Sequence, residues 1–226
     1  MSTRAQTFRN AERLQESILT PLEKRLLNWL AGRMPQWVNS DHLTLLGFAA
    51  MFLTGLCYCL ASKQPAFLLV GSFCLALNWF GDSLDGTLAR YRKRQRPRYG
   101  FYVDHIVDAF GIAFVLIGLG LSGYISPILA LGFLSAYFLM NIEIYLTTYT
   151  LGEFKLSYGI LGPSELRVFV AMGNLFLLSR KTVHLWGHTF LLCDISAVVA
   201  IAIFLAIAIV SSIQHTHRLY NEERLQ

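Results

Sequence analysis

Four aspartates stand in apolar stretches where a carboxylate is costly unless it has work to do: Asp82, Asp85, Asp104 and Asp108. Asp82 and Asp85 are three apart, and Asp104 and Asp108 are four apart, so each pair shares one face of a helix. A loop joins the two stretches and makes them antiparallel neighbours, so the acidic faces can meet. Carboxylates that close repel one another, and a hard divalent cation relieves the repulsion. Oxygen-only ligands favour Mg²⁺ or Mn²⁺. Such sites also recruit phosphate oxygens, so a phosphate ester or anhydride is the expected substrate.

The residues between the aspartates fit that chemistry. Gly86 and Ala89 are small and let a ligand or a second helix approach the backbone. Arg90 follows one turn after Gly86 and can pair with a phosphate. Gly100 stands one turn before Asp104. Ordinary helix-end charges would explain one or two acids, but not four at these spacings with Gly and Arg between them.

The rest of the chain must position this group. It has 226 residues, of which 54% are hydrophobic and 15% charged, and its mean hydropathy is +0.47. A soluble domain carries roughly 25% charged residues, so lipid is the natural sink for the excess apolar surface. Six apolar runs are long enough to cross a bilayer, at about 43–61, 66–89, 101–122, 126–148, 164–180 and 190–213. The expected fold is an all-α integral membrane protein with six transmembrane helices in one bundle. The third and fourth should form a tight hairpin around Gly123 to Pro127. Leu22, Leu26, Leu27 and Leu30 recur at helical spacing among Lys24, Arg25 and Arg33, which predicts an amphipathic helix lying in the headgroup plane. A soluble amphipathic helix packed on another element is the alternative for that stretch. The domain plan is one membrane domain: an N-terminal segment 1–40, a catalytic bundle 41–213 and a tail 214–226. The first 20 residues offer no apolar stretch of the kind a cleaved signal needs.

The net charge is +5, concentrated before the first span and in Arg90 to Arg98. This distribution suits loops that fix orientation and touch anionic lipid better than a nucleic-acid partner. It places both termini on the cytoplasmic side, which would be the inner membrane in a bacterium. The four cysteines, Cys57, Cys59, Cys74 and Cys193, lie in apolar runs and read as packing residues.

The stretch Asp82-Ser-Leu-Asp85-Gly86-Thr-Leu-Ala89-Arg90, followed by Gly100-x3-Asp104-x3-Asp108, resembles the signature of the CDP-alcohol phosphotransferases, D-x2-D-G-x2-A-R-x8-G-x3-D-x3-D. Every fixed residue is present, and the loop between Arg90 and Gly100 is longer by one residue. The resemblance implies that Asp82, Asp85 and Asp104 hold a pair of metal ions and with it the donor's diphosphate. It makes Asp108 the general base, in reach of a metal as well, and puts Gly86, Ala89, Arg90 and Gly100 along the CDP-alcohol site. Thr44, in the family's entry to span one, becomes a candidate nucleotide contact. A plain helix start capped by Ser40 or Asp41 explains that entry almost as well. The implied reaction moves a phospho-alcohol group, for example phosphatidyl, from a CDP-alcohol to an acceptor hydroxyl and releases CMP. It belongs to phospholipid synthesis. The resemblance also brings a homodimer into view, which no residue argues for.

The acceptor is less legible. Glu143 ends span four, and Glu165 opens span five in Gly162-Pro163-Ser164-Glu165. Both should lie at cytoplasmic ends beside the aspartates. The pairing resembles the choline- and ethanolaminephosphotransferase branch, although Ser164 replaces Thr and no Trp precedes Glu143. That branch supplies the alternative reaction, from CDP-choline or CDP-ethanolamine to diacylglycerol. Arg167 either pairs with Glu165 or binds an acceptor phosphate. His184 and His188, four apart, lack further ligands for zinc, and His215 and His217 read as solvated tail residues. Asp194 has no sequence-based account. A small cation transporter would spread its acids through the bilayer depth, and a catalytically dead scaffold would not need the complete motif.

Overall fold

The computed structural model describes residues 12–14, 20–155, 163–185 and 187–224. Its helices are α1 (Thr20–Arg33), α2 (Ser40–Ala61), α3 (Phe67–Tyr91), α4 (Pro97–Leu121), α5 (Pro127–Leu151), α6 (Pro163–Ser179) and α7 (Leu192–Glu222). Backbone polar groups inside lipid must be satisfied within their own segment, which makes helices of the apolar runs. The ends follow local rules. Proline opens α4, α5 and α6, where its missing N–H costs nothing. Gly152, at φ +70°, closes α5 in the left-handed conformation. Asn39 rather than Ser40 or Asp41 caps α2, and its N–H donates to His42 Nδ1 at 3.3 Å.

Two small sheets interrupt the all-helical expectation. β1 (Glu12–Leu14) pairs in parallel with β2 (Glu153–Lys155). β3 (Thr182–Leu185) and β4 (His188–Leu191) form an antiparallel hairpin turned at Gly187, whose φ is +81°. The hairpin takes the first residues expected of the last span. It also puts His184 and His188 on two different strands, with His184 bonded to Thr189. Among the described residues five helices, α2 to α5 and α7, are long and apolar enough to cross a membrane. With 17 residues, α6 is about 25 Å long, short of a hydrocarbon core of about 30 Å.

Helix α2 is the axis of the bundle. At Gly81, an added Cβ would lie 2.5 Å from Leu43 O and 2.7 Å from Gly47 N, so α3 crosses α2 backbone on backbone. Gly55 and Gly118 make a second crossing of the same kind between α2 and α4. Small residues at such crossings replace the hydrophobic driving force that lipid removes. The first crossing sets Asp82 and Asp85 beside the start of α2. The second sets α4 against α2.

Helix α1 divides its leucines between two surroundings. Leu27 and Ala31 are buried with Val38, Leu43, Leu84 and Leu88, and Leu30 packs against them. Leu22, Leu26 and Trp29 remain exposed. The guanidinium of Arg92 donates to the carbonyls of Met34 (3.0 Å), Pro35 (2.9 Å) and Val38 (2.5 Å), which closes the C-terminal end of α1. Arg92 therefore has a structural partner and is more than a surface charge. Arg96 pairs with Asp41 nearby.

At the opposite end of the bundle, Asp194 accepts from the N–H of Ser126 at 2.7 Å and from its hydroxyl at 2.6 Å. It ties the start of α7 to the start of α5, which accounts for an acid the sequence leaves unexplained. Among the apolar helix contacts lies one buried polar triad. Asn174 Nδ2 donates to Tyr58 Oη and Ser72 Oγ, both at 3.0 Å, and so joins α6 to α2 and α3. We expect Asn174→Leu to destabilise the protein by about 1–2 kcal/mol, because Tyr58 keeps a buried hydroxyl with no partner. Thermal unfolding in detergent measures this, and an unchanged midpoint removes the triad as a stabilising contact.

Candidate functional site

The three carboxylates of Asp82, Asp104 and Asp108 each place an oxygen within 4.8 Å of the others. The first comes from α3 and the other two from one face of α4, as the spacing requires. Asp85 stands one turn beyond Asp82, and its Oδ2 accepts from Thr44 Oγ1 at 2.5 Å. Ser40 donates to the Asp85 carbonyl at 3.1 Å. Thr44 is thereby a partner of an aspartate, and the small cleft they line is completed by Phe48, Met51, Asn78 and Val107.

Arg167 enters this group from α6. Its Nη2 donates to Asp82 Oδ2 at 2.5 Å and its Nε to Asn78 Oδ1 at 2.9 Å. Asn78 in turn donates to the carbonyl of Gly47 at 3.1 Å, so the guanidinium rests on the α2–α3 crossing. The expected alternatives for Arg167 were Glu165 or an acceptor phosphate, and Asp82 takes it instead. Residues two apart on a helix do not face each other, which is why Glu165, buried at the start of α6, turns to a different side.

Arg90 donates to Thr87 at 3.1 Å and folds back over Gly86, where an added Cβ would lie 3.3 Å from its Nη1. Gly100 has open space where a Cβ would stand. Ala89 is half-buried on the last turns of α3. Gly162, first of the Gly162-Pro163-Ser164-Glu165 stretch, lies outside the described residues.

Glu143 does not join the aspartates. It is buried on the side of α5 that meets α7, where it accepts from Thr147 at 2.9 Å and lies 2.5 Å from His215 Nδ1. His215 is correspondingly no solvated tail residue. Helix α7 extends well past the expected end of the last span, and this buried pair is what its extra turns serve.

Five further residues at the site escaped the sequence reading: Asn78, Glu23, Tyr137, Asn141 and Tyr145. Asn78 stands one turn before Asp82. Glu23 of α1 accepts on one oxygen from Trp79 (2.8 Å), Ser83 (3.1 Å) and Ser164 (2.8 Å), pinning α1, α3 and α6 together next to Asp82. On α5, Tyr137 stands one turn before Asn141 and lies within electrostatic reach of Asp108, Arg167 and Asp82. Tyr145 stands edge-on to His105 with ring centroids 5.1 Å apart. Asn78 and Asn141 carried a legible signal, an amide inside an apolar span at helical spacing from another polar residue. Glu23 carried none, since an acid in a first helical turn is common.

Four carboxylates outnumber the guanidinium groups of Arg167 and Arg90 beside them and leave the cleft negative, and the candidate ligand atoms are all oxygen. That set fits a hard divalent cation, with Asp82, Asp104 and Asp108 as the residues that could hold it.

Residues 37–214 match the CDP-alcohol phosphatidyltransferase family. The chain belongs to that family. As a CDP-alcohol phosphatidyltransferase family member with five helices long and apolar enough to cross a bilayer, it is an integral membrane protein. It is 30% identical over 124 residues to an archaetidylinositol phosphate synthase of Methanothermobacter thermautotrophicus, a match covering 52% of this chain and 60% of that protein. It is 29% identical over 109 residues to cholinephosphotransferase 1 of Xenopus laevis, covering 45% of this chain and 27% of that one. The chain thus spans less than two thirds of either relative. Family members use divalent metal, CDP-alcohol and alcohol substrates at the membrane, which agrees with the oxygen-lined cluster.

Proposed function

We propose that the protein transfers a phospho-alcohol group from a CDP-alcohol to the hydroxyl of an acceptor alcohol, releasing CMP, as a step of phospholipid synthesis. The observation that carries this reading is the convergence of Asp82, Asp104 and Asp108 from two helices, inside a chain of this family. Similarity to an archaetidylinositol phosphate synthase and to a cholinephosphotransferase supports it. The second of these keeps a CDP-choline or CDP-ethanolamine donor among the candidates. A cation path is not favoured, since the acids at the site gather at one level of the bundle.

In this reading Asp82, Asp85, Asp104 and Asp108 hold two Mg²⁺ or Mn²⁺ ions. Bound there, the metal neutralises charge on the diphosphate as CMP departs. Asp108 takes the proton of the attacking hydroxyl. Thr44 orients the Asp85 carboxylate, and Arg90, Gly86, Ala89 and Gly100 flank the nucleotide. Arg167 holds Asp82 and Asn78 in place and offsets part of the negative charge. Helix α1 lies at the headgroup level with Leu22, Leu26 and Trp29 toward the acyl boundary. Helix α6 completes six spans by burying its polar N-terminal turn at the interface. The positive segments, the site and both termini face the cytoplasm.

The test is CMP release by purified protein in lipid, with labelled CDP-diacylglycerol, CDP-choline and CDP-ethanolamine and a panel of alcohols. Turnover with at least one donor, strictly dependent on Mg²⁺ or Mn²⁺, is expected. Failure of every donor in the presence of metal would end this reading.

A further inference from the structure

Resting on that reading, we propose that Tyr137, Asn141 and Tyr145 form the acceptor wall of the site, and that the acceptor they select is an uncharged alcohol. The three residues recur every four positions on α5 and therefore lie one above another along a single face. Its Tyr145 end meets α4, while the Tyr137 ring also reaches Phe204 of α7, with centroids 6.2 Å apart. Tyr145 packs edge-on to His105, the neighbour of Asp104. One turn and two turns further along the stripe stand Asn141 and Tyr137, and Tyr137 lies within electrostatic reach of Asp108 and Arg167. The carboxylate assigned to remove the acceptor's proton thus looks across to this stripe.

The stripe offers two phenol hydroxyls and one amide, all hydrogen-bonding and none charged. The charged groups that could have altered its character are engaged elsewhere. Glu143 turns to the far side of α5 and meets His215. Arg167 is held by Asp82 and Asn78. The stripe itself therefore offers no carboxylate to a cationic amino-alcohol and no cation to a phosphorylated acceptor. Neutral hydroxyls match it, since a site built to hydrogen-bond an OH discriminates strongly against groups that leave its polar atoms unpaired. Just round α5 from the stripe lie Leu139, Ile142 and Leu146, more than half exposed and apolar. An alcohol could reach the wall from that lipid side or from water at the headgroup level.

The experiment uses the full chain in lipid nanodiscs with Mn²⁺ and whichever CDP-alcohol the wild type turns over. Acceptor arms are diacylglycerol in the bilayer, inositol in water, glycerol 3-phosphate and serine. An uncharged acceptor should give the highest kcat/KM, and the first two arms separate a lipid source from an aqueous one. Asn141→Leu and the conservative Tyr137→Phe should each raise the acceptor KM about tenfold while donor KM and Mn²⁺ affinity stay unchanged. Thermal unfolding reports whether Asn141→Leu folds, and Tyr137→Phe keeps the ring in place if it does not. Preference for glycerol 3-phosphate or serine overturns the proposal, as does an unchanged acceptor KM in both folded variants. Absence of CMP release with any donor in the wild type overturns the parent reading, and the proposal with it.

Discussion

Replacing Asp108 with Asn should lower CMP release by about 10³-fold or more while CDP-alcohol still binds. The amide has nearly the shape of the carboxylate, so the packing of α4 against α2 and α5 survives. What it loses is the ability to accept the acceptor's proton, a role that contributes typically 10² to 10⁴ in rate. It also removes one negative ligand from the trio that Asp82 and Asp104 complete. The two losses fall differently on the two measurements. Donor affinity, measured by titration calorimetry, should change little, because Asp82, Asp85 and Asp104 remain. Turnover should collapse, because the amide cannot take up the proton that the attacking hydroxyl must lose. Wild-type turnover in the variant would take the base assignment away from Asp108.

Removing divalent metal should have an effect of the same order. EDTA is expected to abolish CMP release, and added Mn²⁺ to restore it. The physical reason is the charge balance of the cleft. Asp82, Asp85, Asp104 and Asp108 outnumber the guanidinium groups beside them, Arg167 paired with Asp82 and Arg90 near Asp85. A diphosphate brought to that surface without metal meets net repulsion. Arg167 and the hydrogen bonds of Thr44 and Asn78 hold the carboxylates in place without metal, so chelation should stop turnover without unfolding the bundle. Mn²⁺ should then raise the unfolding temperature, because a ligand that binds only the folded state stabilises it. Asp82→Ala should lose both that stabilisation and activity. Retention of Mn²⁺-dependent stabilisation in this variant would place the metal elsewhere.

Much of the site was readable before any coordinates. The spacings Asp82–Asp85 and Asp104–Asp108 are statements about one helix each, and the period of the α-helix alone decides which side chains share a face. The apolar runs were equally plain, and α2 to α5 fall close to the expected limits. The short hairpin before α7 was not legible, because it lies almost wholly between the expected spans 164–180 and 190–213, where four-residue strands leave little pattern. Nor was the cap of α2 at Asn39, since Asn39, Ser40 and Asp41 are all good capping residues and stand side by side.

The partners of the acidic residues were the harder part. Glu143 and Glu165 sit at the right ends of their helices, and level along the membrane is all that a hydropathy pattern reports. Rotation about the helix axis decided their fate. Glu143 turned to His215, and the neutral stripe of Tyr137, Asn141 and Tyr145 took the face toward the aspartates. Arg167 went to Asp82, a residue 85 positions away, and no local rule could select that partner over Glu165.

By itself the sequence determined the family resemblance: a membrane-bound chain, two acidic helix faces and the order of the carboxylates along them. Each of those depends only on residue type and on distances within one helix. The tertiary structure alone decided which faces met. That choice is made where glycines let α2 touch α3 and α4 backbone to backbone, and where Glu23 pins α1, α3 and α6 in register. Such contacts join segments far apart in the chain, and their energies exist only once all the helices are in place.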